Sequence, residues 1–415
     1  MVKVNKILML VENIPAPIDP RVWPEAIALR DRGFQVCIIS PKGSSQHRES
    51  YICIENIHIY RYQLPELRHK YMVAHVMEYG IAMLMTFWLS LKVLFHHGFD
   101  VIHAANPPDM FFVIGLFYRL FGKKFVFDQH DLMPEIFRAM CKDRMKLLYK
   151  LLLSLERWTY RTADLAIVAN ESFKQIAIKR SGCPEDKVFV VRNGPNLEHM
   201  KLVTPEAELK GGRRYLLAYL GVMAIQDGVE YALYALHDLV HKRNRQDVSL
   251  VLMGDGDNAA ALRRLAHELE LDAYVNFTGW TERKDILRYL TVADVGLSPD
   301  PRNGLNEHST MIKTMEYMAM GKPLVAFDLT ETRFSAQDAA LYATPNLVEE
   351  FAKNIEVLLD DEELRLKMGA TGRKRIEEEL SWDHNEKKLL LAYEKLFPSS
   401  SQSQVSASAT LSIGH

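Results

Sequence analysis

Short apolar runs alternate with amphipathic helical patterns along almost the whole chain. The first series of runs is ILMLV (7–11), VCIIS (36–40), VIHAA (101–105), FVFD (125–128), LAIVA (165–169) and VFVVR (188–192). The second series is YLLAYLG (215–221), VSLVLMG (248–254), YVNFTG (274–279), DVGLSP (294–299) and PLVAFD (323–328). Continuous apolar runs bounded by helices are typical of parallel strands covered on both faces. The two series therefore predict an α/β protein with two Rossmann-like, doubly wound domains.

A polar segment rich in Gly, Pro and Glu separates the two series and sets the predicted boundaries. We expect a first domain over 1–195, a linker over 196–213 and a second domain over 214–381. A final amphipathic helix is predicted at 382–397. The tail 398–415 has almost nothing to bury, so we expect it to be disordered.

Composition narrows the class of protein. A net charge of -2 gives no reason to expect a nucleic acid partner, and the four cysteines are scattered without a CxxC pair. The N-terminal apolar run is short for a signal peptide. The longest uncharged segment, YGIAMLMTFWLSL, has about 13 residues where a bilayer span needs roughly 20. We therefore predict a cytoplasmic protein without an ordinary transmembrane helix.

Metal chemistry finds little support in the sequence. No His/Cys cluster has zinc spacing, and the GDGD of residues 254–257 is explained most simply as a turn between a strand and a helix. A nicotinamide cofactor is not expected, because no GxGxxG follows a strand of the first series. Gly321-Lys322 does not make a phosphate loop, because Pro323 stands where Ser or Thr is required.

The stretch NEHSTMIKTMEYMAMGKP (306–323) places a glutamate within a predicted helix that begins near Ser309. Glu316 shares one face of this helix with Ile312, Met315 and Ala319. A carboxylate among apolar neighbours is costly unless it accepts good hydrogen bonds, and the vicinal diol of a ribose supplies two donors. The alternative is that Glu316 lies at the edge of the face and pairs with an Arg or a backbone amide.

The start of the same helix favours an anion. Ser309 and Thr310 are capping residues without the Glu or Gln that completes a capping box, and Lys313 lies in the first turn, where the helix dipole disfavours a cation. Both features suit a diphosphate bound at Ser309–Met311, with its ribose one turn further on. The alternative for Lys313 is a solvated side chain. The segment therefore predicts a nucleoside diphosphate site.

Several motifs together give the sequence a family resemblance: HDLMPE (130–135), RNGP (192–195), MGDGDNAAALRRLAHELELDAYVNFTG (253–279) and EYMAMGKPLVAFD (316–328). Over most of its length the chain resembles the bacterial retaining glycosyltransferases of family 4. It resembles a divergent branch of that family. The resemblance implies the GT-B fold, with two Rossmann-like domains facing a cleft and the helix 382–397 crossing back to the first domain. It also implies a nucleoside diphosphate sugar as donor in the second domain, an acceptor in the first, and no metal.

Carried onto this sequence, the family's donor contacts fall on the Glu316 helix. Glu316 matches the second glutamate of the family's Glu-x7-Glu pair, which contacts the ribose. His308 stands where the first would contact the sugar, with Glu307 one position off register. The Gly-rich stretch whose amides meet the diphosphate is represented by Ser309, Thr310 and Met311.

A second departure concerns the loop that begins at Gly221, after the first strand of the second domain. The family commonly places Arg and Lys on this loop to neutralise the diphosphate, and here Val222 and Asp227 stand in their places. We expect a cation from elsewhere to compensate, with Lys313 as the first candidate. The other two candidates are Arg302 and Arg333.

In the first domain the resemblance points to His130, which ends a strand where open α/β sheets bind ligands. His130 and Glu316 are the two candidate catalytic residues. The alternative is that His130 bonds locally while Asp128 and Asp131 cap the next helix. The loop 12–26 takes the place of the family's acceptor-side loop, and offers Asp19 and Arg21 as contacts to the acceptor or the pyrophosphate. An equally good alternative is a stiff turn with an internal Asp–Arg pair.

Two segments suggest that the protein contacts a membrane. On the predicted helix 145–161, Lys146, Lys150, Arg157 and Arg161 form a basic stripe, and Leu148, Leu151, Leu152, Leu155 and Trp158 fall on the opposite side. Such a helix either touches anionic lipid or is a core helix with a solvated cationic face. The apolar helix at 71–91 is a second candidate. Peripheral contact with the inner face of a membrane would suit a lipid-linked acceptor.

The expected activity is therefore transfer of a sugar, with retention, to a saccharide or lipid-linked acceptor hydroxyl in cell-surface polysaccharide or glycolipid synthesis. A nucleotide-sugar epimerase on the same scaffold is one alternative. A non-catalytic partner subunit is another, favoured by the missing Arg/Lys pair and by His308. The base, the sugar and the acceptor are left open.

Overall fold

The protein folds into two α/β units. The structure, a computed structural model, describes residues 5–43, 47–65, 72–141 and 145–397, without the side chains of 72–76 and 139–141. Unit 1 comprises Met1–Asn193 and Asn385–His415, and unit 2 comprises Gly194–His384. The predicted disordered tail lies outside the described residues.

Unit 1 contains a sheet of eight strands in the order β3-β4-β2-β1-β5-β6-β7-β8, parallel except for the β3–β4 pair. The strands are β1 (Lys6–Leu10), β2 (Gln35–Pro41), β3 (Tyr51–Ile54), β4 (Ile57–Tyr62), β5 (Val101–Ala105), β6 (Lys124–Gln129), β7 (Leu165–Val168) and β8 (Val188–Val190). The helices are α1 (Val22–Asp31), α2 (Met72–His96), α3 (Phe112–Arg119), α4 (Met133–Cys141), α5 (Lys146–Thr162) and α6 (Glu171–Lys179).

Unit 2 contains a parallel sheet of six strands in the order β11-β10-β9-β12-β13-β14. The strands are β9 (Tyr215–Leu220), β10 (Val248–Met253), β11 (Val275–Gly279), β12 (Val295–Ser298), β13 (Leu324–Phe327) and β14 (Ala340–Ala343). The helices are α7 (Val229–His237), α8 (Ala259–Glu268), α9 (Arg283–Val292), α10 (Ile312–Ala319), α11 (Thr330–Ala336), α12 (Val348–Asp360) and α13 (Glu362–Arg375). The last helix, α14 (Trp382–Leu396), begins in unit 2 and continues in unit 1.

The predicted fold class is confirmed, because every predicted run forms a parallel strand flanked by helices. Both sheets are buried on two faces; β1, β9 and β10 are almost wholly inaccessible to solvent. Such strands need apolar side chains at every position, which is why they read as continuous runs rather than alternating ones.

Three local features differ from the prediction. The hairpin β3–β4 was missed, although its turn residues Glu55 and Asn56 both adopt positive φ, as a two-residue hairpin turn requires. The segment 196–213 is not a free linker, because Met200 lies in the core of unit 2 and Lys210 pairs with Asp294 at 2.7 Å. Helix α10 begins at Ile312 rather than near Ser309.

Candidate functional site

The carboxyl ends of the central strands of unit 2 are held together by glycines. Gly221 follows β9 and Gly254 follows β10, with φ of 144° and 136°. The N–H of Gly221 donates to the Met253 carbonyl at 3.0 Å, and a Cβ on Gly254 would lie 1.9 Å from the Gly221 carbonyl oxygen. Only glycine permits this approach. The sequence therefore fixes a compact backbone surface at the sheet edge where doubly wound folds bind ligands.

Helix α10 carries Glu316, which is half-buried. Burial raises the pKa of the Glu316 carboxyl above its ordinary value, and the nearby charges of Arg283 and Lys313 partly oppose this. Within the described parts of the chain, no group donates a hydrogen bond to this carboxylate and no ion pair engages it. The alternative of an edge glutamate bonded to an Arg or an amide is therefore not what the structure shows. A carboxylate left in this state is typical of a ligand site.

Lys313 lies one turn before Glu316, and its position differs from the prediction. Its ammonium is buried and donates to the Asp300 carboxylate at 2.6 Å. Ser298 donates to the other oxygen of Asp300, and the Lys313 side chain packs beneath Gly221. Lys313 is thus neither solvated nor an uncompensated cation. Asp300 already balances the charge of Lys313, and compensation of a diphosphate by this lysine stays a prediction.

The two other candidate cations are also paired. Arg302 contacts Glu307 at 2.9 Å, and Arg333 contacts Asp328 at 2.7 Å. Arg283, at the start of α9, was not singled out by the sequence. Its charge acts on Glu316, and none of the carboxylates that the structure describes forms an ion pair with it. Arg283 could have been found from its position in the sequence, because it follows the end of β11 at the same sheet edge as Gly221 and Gly254.

The segment before α10 is a tight turn rather than helix. Asn306 is buried and donates to the carbonyls of Gln226 and Pro301, which ties this turn to the loop after β9. Ser309 donates through its hydroxyl to the Leu305 carbonyl at 2.9 Å. Met311 is the N-cap residue of α10 and makes no side-chain cap. The N–H groups predicted to meet an anion therefore belong to the first turn of the helix itself, which begins at Ile312.

The remaining predicted contacts surround this turn. His308 and Thr310 are half-buried, in the same segment as Ser309. Asp227, found where the family has Lys, accepts from the N–H of Ala224 at 3.0 Å and closes the turn after β9. Burial raises the pKa of Asp227, with Lys313 opposing. The structure thus brings Gly221, Asp227 and Lys313 together, with the segment 308–311 leading directly into α10.

In unit 1 the end of β6 carries a buried charge network centred on Asp128. Asp128 is inaccessible to solvent and accepts two hydrogen bonds from Arg21, at 2.6 and 3.1 Å, and one from His130 Nε2 at 2.5 Å. Although burial opposes it, the charge of Arg21 and then that of His130 hold the pKa of Asp128 well below its usual range. Asp128 therefore anchors His130 instead of capping a helix.

Arg21 and Asp19 have structural partners in the loop after β1. Arg21 is buried and also donates to the Val191 carbonyl at 2.8 Å and the Asn193 side chain at 2.6 Å. Asp19 accepts from the N–H groups of Arg21 and Val22, at 2.9 and 2.8 Å, and so caps the start of α1. The Arg21 guanidinium pairs with Asp128 and Glu25 rather than with the Asp19 carboxylate, so the internal Asp–Arg pair of the stiff-turn alternative does not form. Asp19 uses Oδ1 for both backbone hydrogen bonds, and contact of these two residues with an acceptor stays a prediction.

The same network contains carboxylate and imidazole atoms in a metal-like grouping. Ligand atoms of Glu25, His103 and Asp128 all lie within 4.8 Å of one another, and all three residues are buried. Burial and the charge of Asp128 raise the pKa of Glu25 well above its usual range. His103 is held through Nδ1 by Tyr393 at 2.7 Å. The guanidinium of Arg21 already supplies the positive charge that balances this group.

Glu12, at the end of β1, is a candidate that the sequence reasoning passed over within the loop 12–26. It is buried, and desolvation followed by the charge of Glu78 raises its pKa to about 8. A carboxyl with such a pKa at the carboxyl end of a central strand is a functional candidate. Its position immediately after the first apolar run was the available signal.

Two sequence families match the chain, one for each unit. Residues 25–199 match the family described as Glycosyltransferase Family 4. Residues 214–361 match the family described as Glycosyl transferases group 1. The two matched segments lie almost entirely within unit 1 and unit 2 respectively.

Individual proteins agree with these matches. An uncharacterized glycosyltransferase of Methanocaldococcus jannaschii is 20% identical over 88% of this chain and 90% of its own length. The sucrose-phosphate synthase structure from Thermosynechococcus elongatus is similar with a TM-score of 0.78 and 17% identity, over 95% of this chain and all of that one. The structure of HepE from Anabaena in complex with UDP gives a TM-score of 0.70 and 14% identity, over 94% of this chain and all of that one.

Proposed function

Because the chain is a glycosyltransferase of the GT-B fold that belongs with family 4, we propose that it transfers a sugar from a nucleoside diphosphate sugar to an acceptor hydroxyl with retention of configuration. We assign the nucleotide to unit 2 and the acceptor to unit 1. The acceptor is a saccharide or a lipid-linked glycan of cell-surface polysaccharide or glycolipid synthesis. The reaction takes place in the cytoplasm and requires no metal.

The observation that carries this proposal is the unpartnered carboxylate of Glu316. Half-buried carboxylates are normally bonded, because an unsatisfied one is costly. Glu316 lies one turn after the start of α10, a short helix in which the N–H of Thr314 donates to the Met311 carbonyl, while those of Ile312 and Lys313 precede the first helical acceptor. A nucleoside diphosphate supplies what both groups need, two ribose hydroxyls for the carboxylate and phosphate oxygens for the N–H groups. The UDP in the Anabaena HepE structure supports this ligand class.

The chemical demand on unit 2 is to stabilise the leaving diphosphate. Preorganised N–H donors and cations do this without reorganisation during the reaction. We assign the task to the first turn of α10 and the guanidinium of Arg283, with Gly221 allowing the donor a close approach to the backbone after β9. His308, Ser309, Thr310 and Met311 complete the donor site, and Lys313 keeps its structural place beneath Gly221. The Lys313–Asp300 pair then positions the loop instead of neutralising the phosphate.

In unit 1 we assign the catalytic part to His130. Asp128 fixes the orientation of the imidazole through Nε2, and Arg21 fixes Asp128 in turn. The N–H of His130 donates to Asn106 Oδ1 at 2.6 Å, which holds the backbone of the same turn. Asp19 and Arg21 thus support the acceptor-side loop through the fold. Glu12 is the group of unit 1 that we expect to meet the acceptor.

Calorimetric titration with UDP, GDP, ADP and CMP tests the donor site. We expect the wild type to select one nucleoside diphosphate and Glu316→Ala to bind it about 10- to 100-fold more weakly, since hydrogen bonds to a charged group contribute about 1.5–3 kcal/mol. Glu377→Ala, which removes an exposed glutamate paired with Arg373, is the matched control and should bind as the wild type does.

The remaining outcomes separate the alternatives. Turnover of the selected nucleotide sugar without an acceptor would identify an epimerase instead. If no nucleotide binds the wild type, with detergent or lipid present, the donor-site proposal fails. The alternative of a non-catalytic partner subunit would then be favoured, and the pairing of Lys313 with Asp300 would be purely structural.

A further inference from the structure

The outward face of α2 is apolar along its described length. Met77, Leu84, Trp88 and Phe95 are between 51% and 83% exposed. Their spacings of seven, four and seven residues place them within about 40° of one another around the helix and over about 27 Å of its length. The opposite face packs on the sheet of unit 1 and is buried. Four large apolar side chains in one exposed line are unusual for a surface that meets only water.

Helix α3 extends this face. The Phe87 and Phe117 rings meet at 5.1 Å, and the hydroxyls of Ser90 and Tyr118 are 2.8 Å apart, so α2 and α3 lie side by side. The exposed apolar side chains of α3 and the turn that follows it are Val113, Leu116, Leu120 and Phe121. The two helices therefore present one extended apolar area.

Helix α5 lies next to α3 and adds charge. The Thr159 hydroxyl donates to the Asp109 carbonyl at 2.8 Å, and Arg119 donates to the Thr162 carbonyl at 2.9 Å. Leu147, Leu151 and Trp158 are exposed and fall within about 40° of one another around the helix. The basic side chains Lys146, Lys150, Arg157 and Arg161 form the adjoining stripe. We call the exposed faces of α2, α3 and α5 the three-helix surface.

The arrangement of α5 differs from the sequence prediction in an informative way. The predicted core side of this helix included Leu151 and Trp158, and both are instead exposed beside the basic stripe. The buried positions are Glu156, Thr159, Tyr160 and Thr162. Apolar and basic side chains therefore share the outward face, as they do on helices that lie in a membrane interface.

The charge of this surface has one sign. None of the ion pairs among the described residues engages Lys146, Lys150, Arg157 or Arg161. The acidic residue within α5, Glu156, is buried and accepts from Arg180. A second copy of the chain would have to bring these cations near one another, whereas a bilayer containing anionic lipid neutralises them.

We propose that the three-helix surface docks unit 1 on an anionic lipid bilayer. The apolar side chains of α2 and α3 enter the boundary between headgroups and acyl chains, and Trp88 and Trp158 lie at the depth that tryptophan prefers. The cations of α5 contact lipid phosphates through extended aliphatic stems. This inference goes beyond the proposed reaction and does not depend on the nucleotide site, which belongs to unit 2.

The geometry of α2 favours docking along the surface. By length and composition alone, Met77–His96 could cross a membrane. However, Ala82, Thr86, Ser90 and Val93 are fully buried in unit 1. A spanning position would remove these side chains from the sheet and expose the strands beneath.

Vesicle flotation of the full chain tests the proposal. We expect the wild type to float with phosphatidylglycerol-containing vesicles at low salt, at least about tenfold more than with pure phosphatidylcholine vesicles. The variant K146A/K150A/R157A/R161A should lose that preference. The variant L84A/W88A/F95A should lose at least about tenfold in partitioning to both vesicle types, because each side chain removes buried apolar area.

Matched controls come from unit 2. The variants K242A/K284A/K353A/K374A and L347A/L366A remove the same kinds of exposed side chains away from the three-helix surface. Both should float as the wild type does. Far-UV circular dichroism and nucleotide titration check that each variant remains folded. A loss of flotation in a folded variant then reports on membrane binding alone.

Four results would overturn the proposal. The first is that the wild type does not prefer anionic vesicles. The second is that the variants of the three-helix surface and the control variants lose vesicle binding equally. The third is that the protein forms a dimer without lipid and that L84A/W88A/F95A dissociates this dimer. The fourth is resistance of the membrane-bound protein to alkaline carbonate extraction, which would show that α2 spans the bilayer.

Discussion

Two carboxylates near the carboxyl edges of the two sheets, Asp128 and Glu316, differ in their hydrogen bonding. In unit 1, the Asp128 carboxylate accepts hydrogen bonds from both Arg21 and His130. In unit 2, the Glu316 carboxylate is half-buried, and no hydrogen bond from the described residues reaches it. The fold thus satisfies Asp128, whereas the described residues leave the Glu316 carboxylate without a hydrogen bond.

The difference bears on the stability of the two sites. The hydrogen bonds of Asp128 hold His130 in place, because Arg21 fixes Asp128 in turn. An unsatisfied carboxylate instead lowers the stability of the free protein and is compensated on binding. Substitution of Asp128 and substitution of Glu316 should therefore change stability in opposite directions.

The largest expected effect is on unit 1. Asp128→Ala leaves the Arg21 guanidinium buried without its main partner and should reduce the free energy of unfolding by about 3–5 kcal/mol. Chemical denaturation monitored by tryptophan fluorescence measures it. Asp328→Ala, which breaks the more exposed pair with Arg333, should cost less than about 1 kcal/mol. Equal losses in the two variants would show that the Asp128 network carries no special weight.

A second effect in unit 1 depends on pH. Burial and Glu78 raise the pKa of Glu12 to about 8 from an ordinary value of 4.5. The folded state therefore binds more protons than the unfolded state between these values, and the stability of the wild type falls as the pH rises through this window. Glu12→Gln removes the titration.

We expect Glu12→Gln to match the wild type in stability near pH 5 and to exceed it near pH 8 by about 1–3 kcal/mol. Urea denaturation at the two pH values gives the difference. A stability gap that is the same at both would mean that Glu12 titrates as an ordinary exposed carboxyl.

The smallest expected effect is on unit 2, and its sign is opposite to that of Asp128→Ala. Glu316→Gln removes an unpartnered carboxylate, so the free energy of unfolding should stay constant or rise by about 0.5–1 kcal/mol. The same variant should bind the selected nucleotide more weakly. Urea denaturation of the free protein measures the first effect. A clear loss of stability would place Glu316 among the structural residues and remove the contrast with Asp128.

The local pattern of the sequence was sufficient for the fold. Parallel strands buried on both faces need apolar residues at consecutive positions, so eleven of the fourteen strands in the described residues coincide with short runs that can be read directly. The position of Glu316 on the apolar side of a helix was equally visible, since helical periodicity depends only on spacing. The strands β3, β4 and β14 were not predicted, because their apolar pattern is weak.

The tertiary structure decided which charged groups are free. Arg21 and Asp128 are 107 residues apart and meet only because β1 and β6 end at the same edge of one sheet. Lys313 was predicted as a phosphate ligand from its place in a helix turn, and Asp300 neutralises it from the end of β12. On α5, periodicity identified the amphipathic character, but only the neighbouring helices determined which face is exposed. Spacing along the chain thus fixes what a residue can do, whereas its partners in space determine what it does.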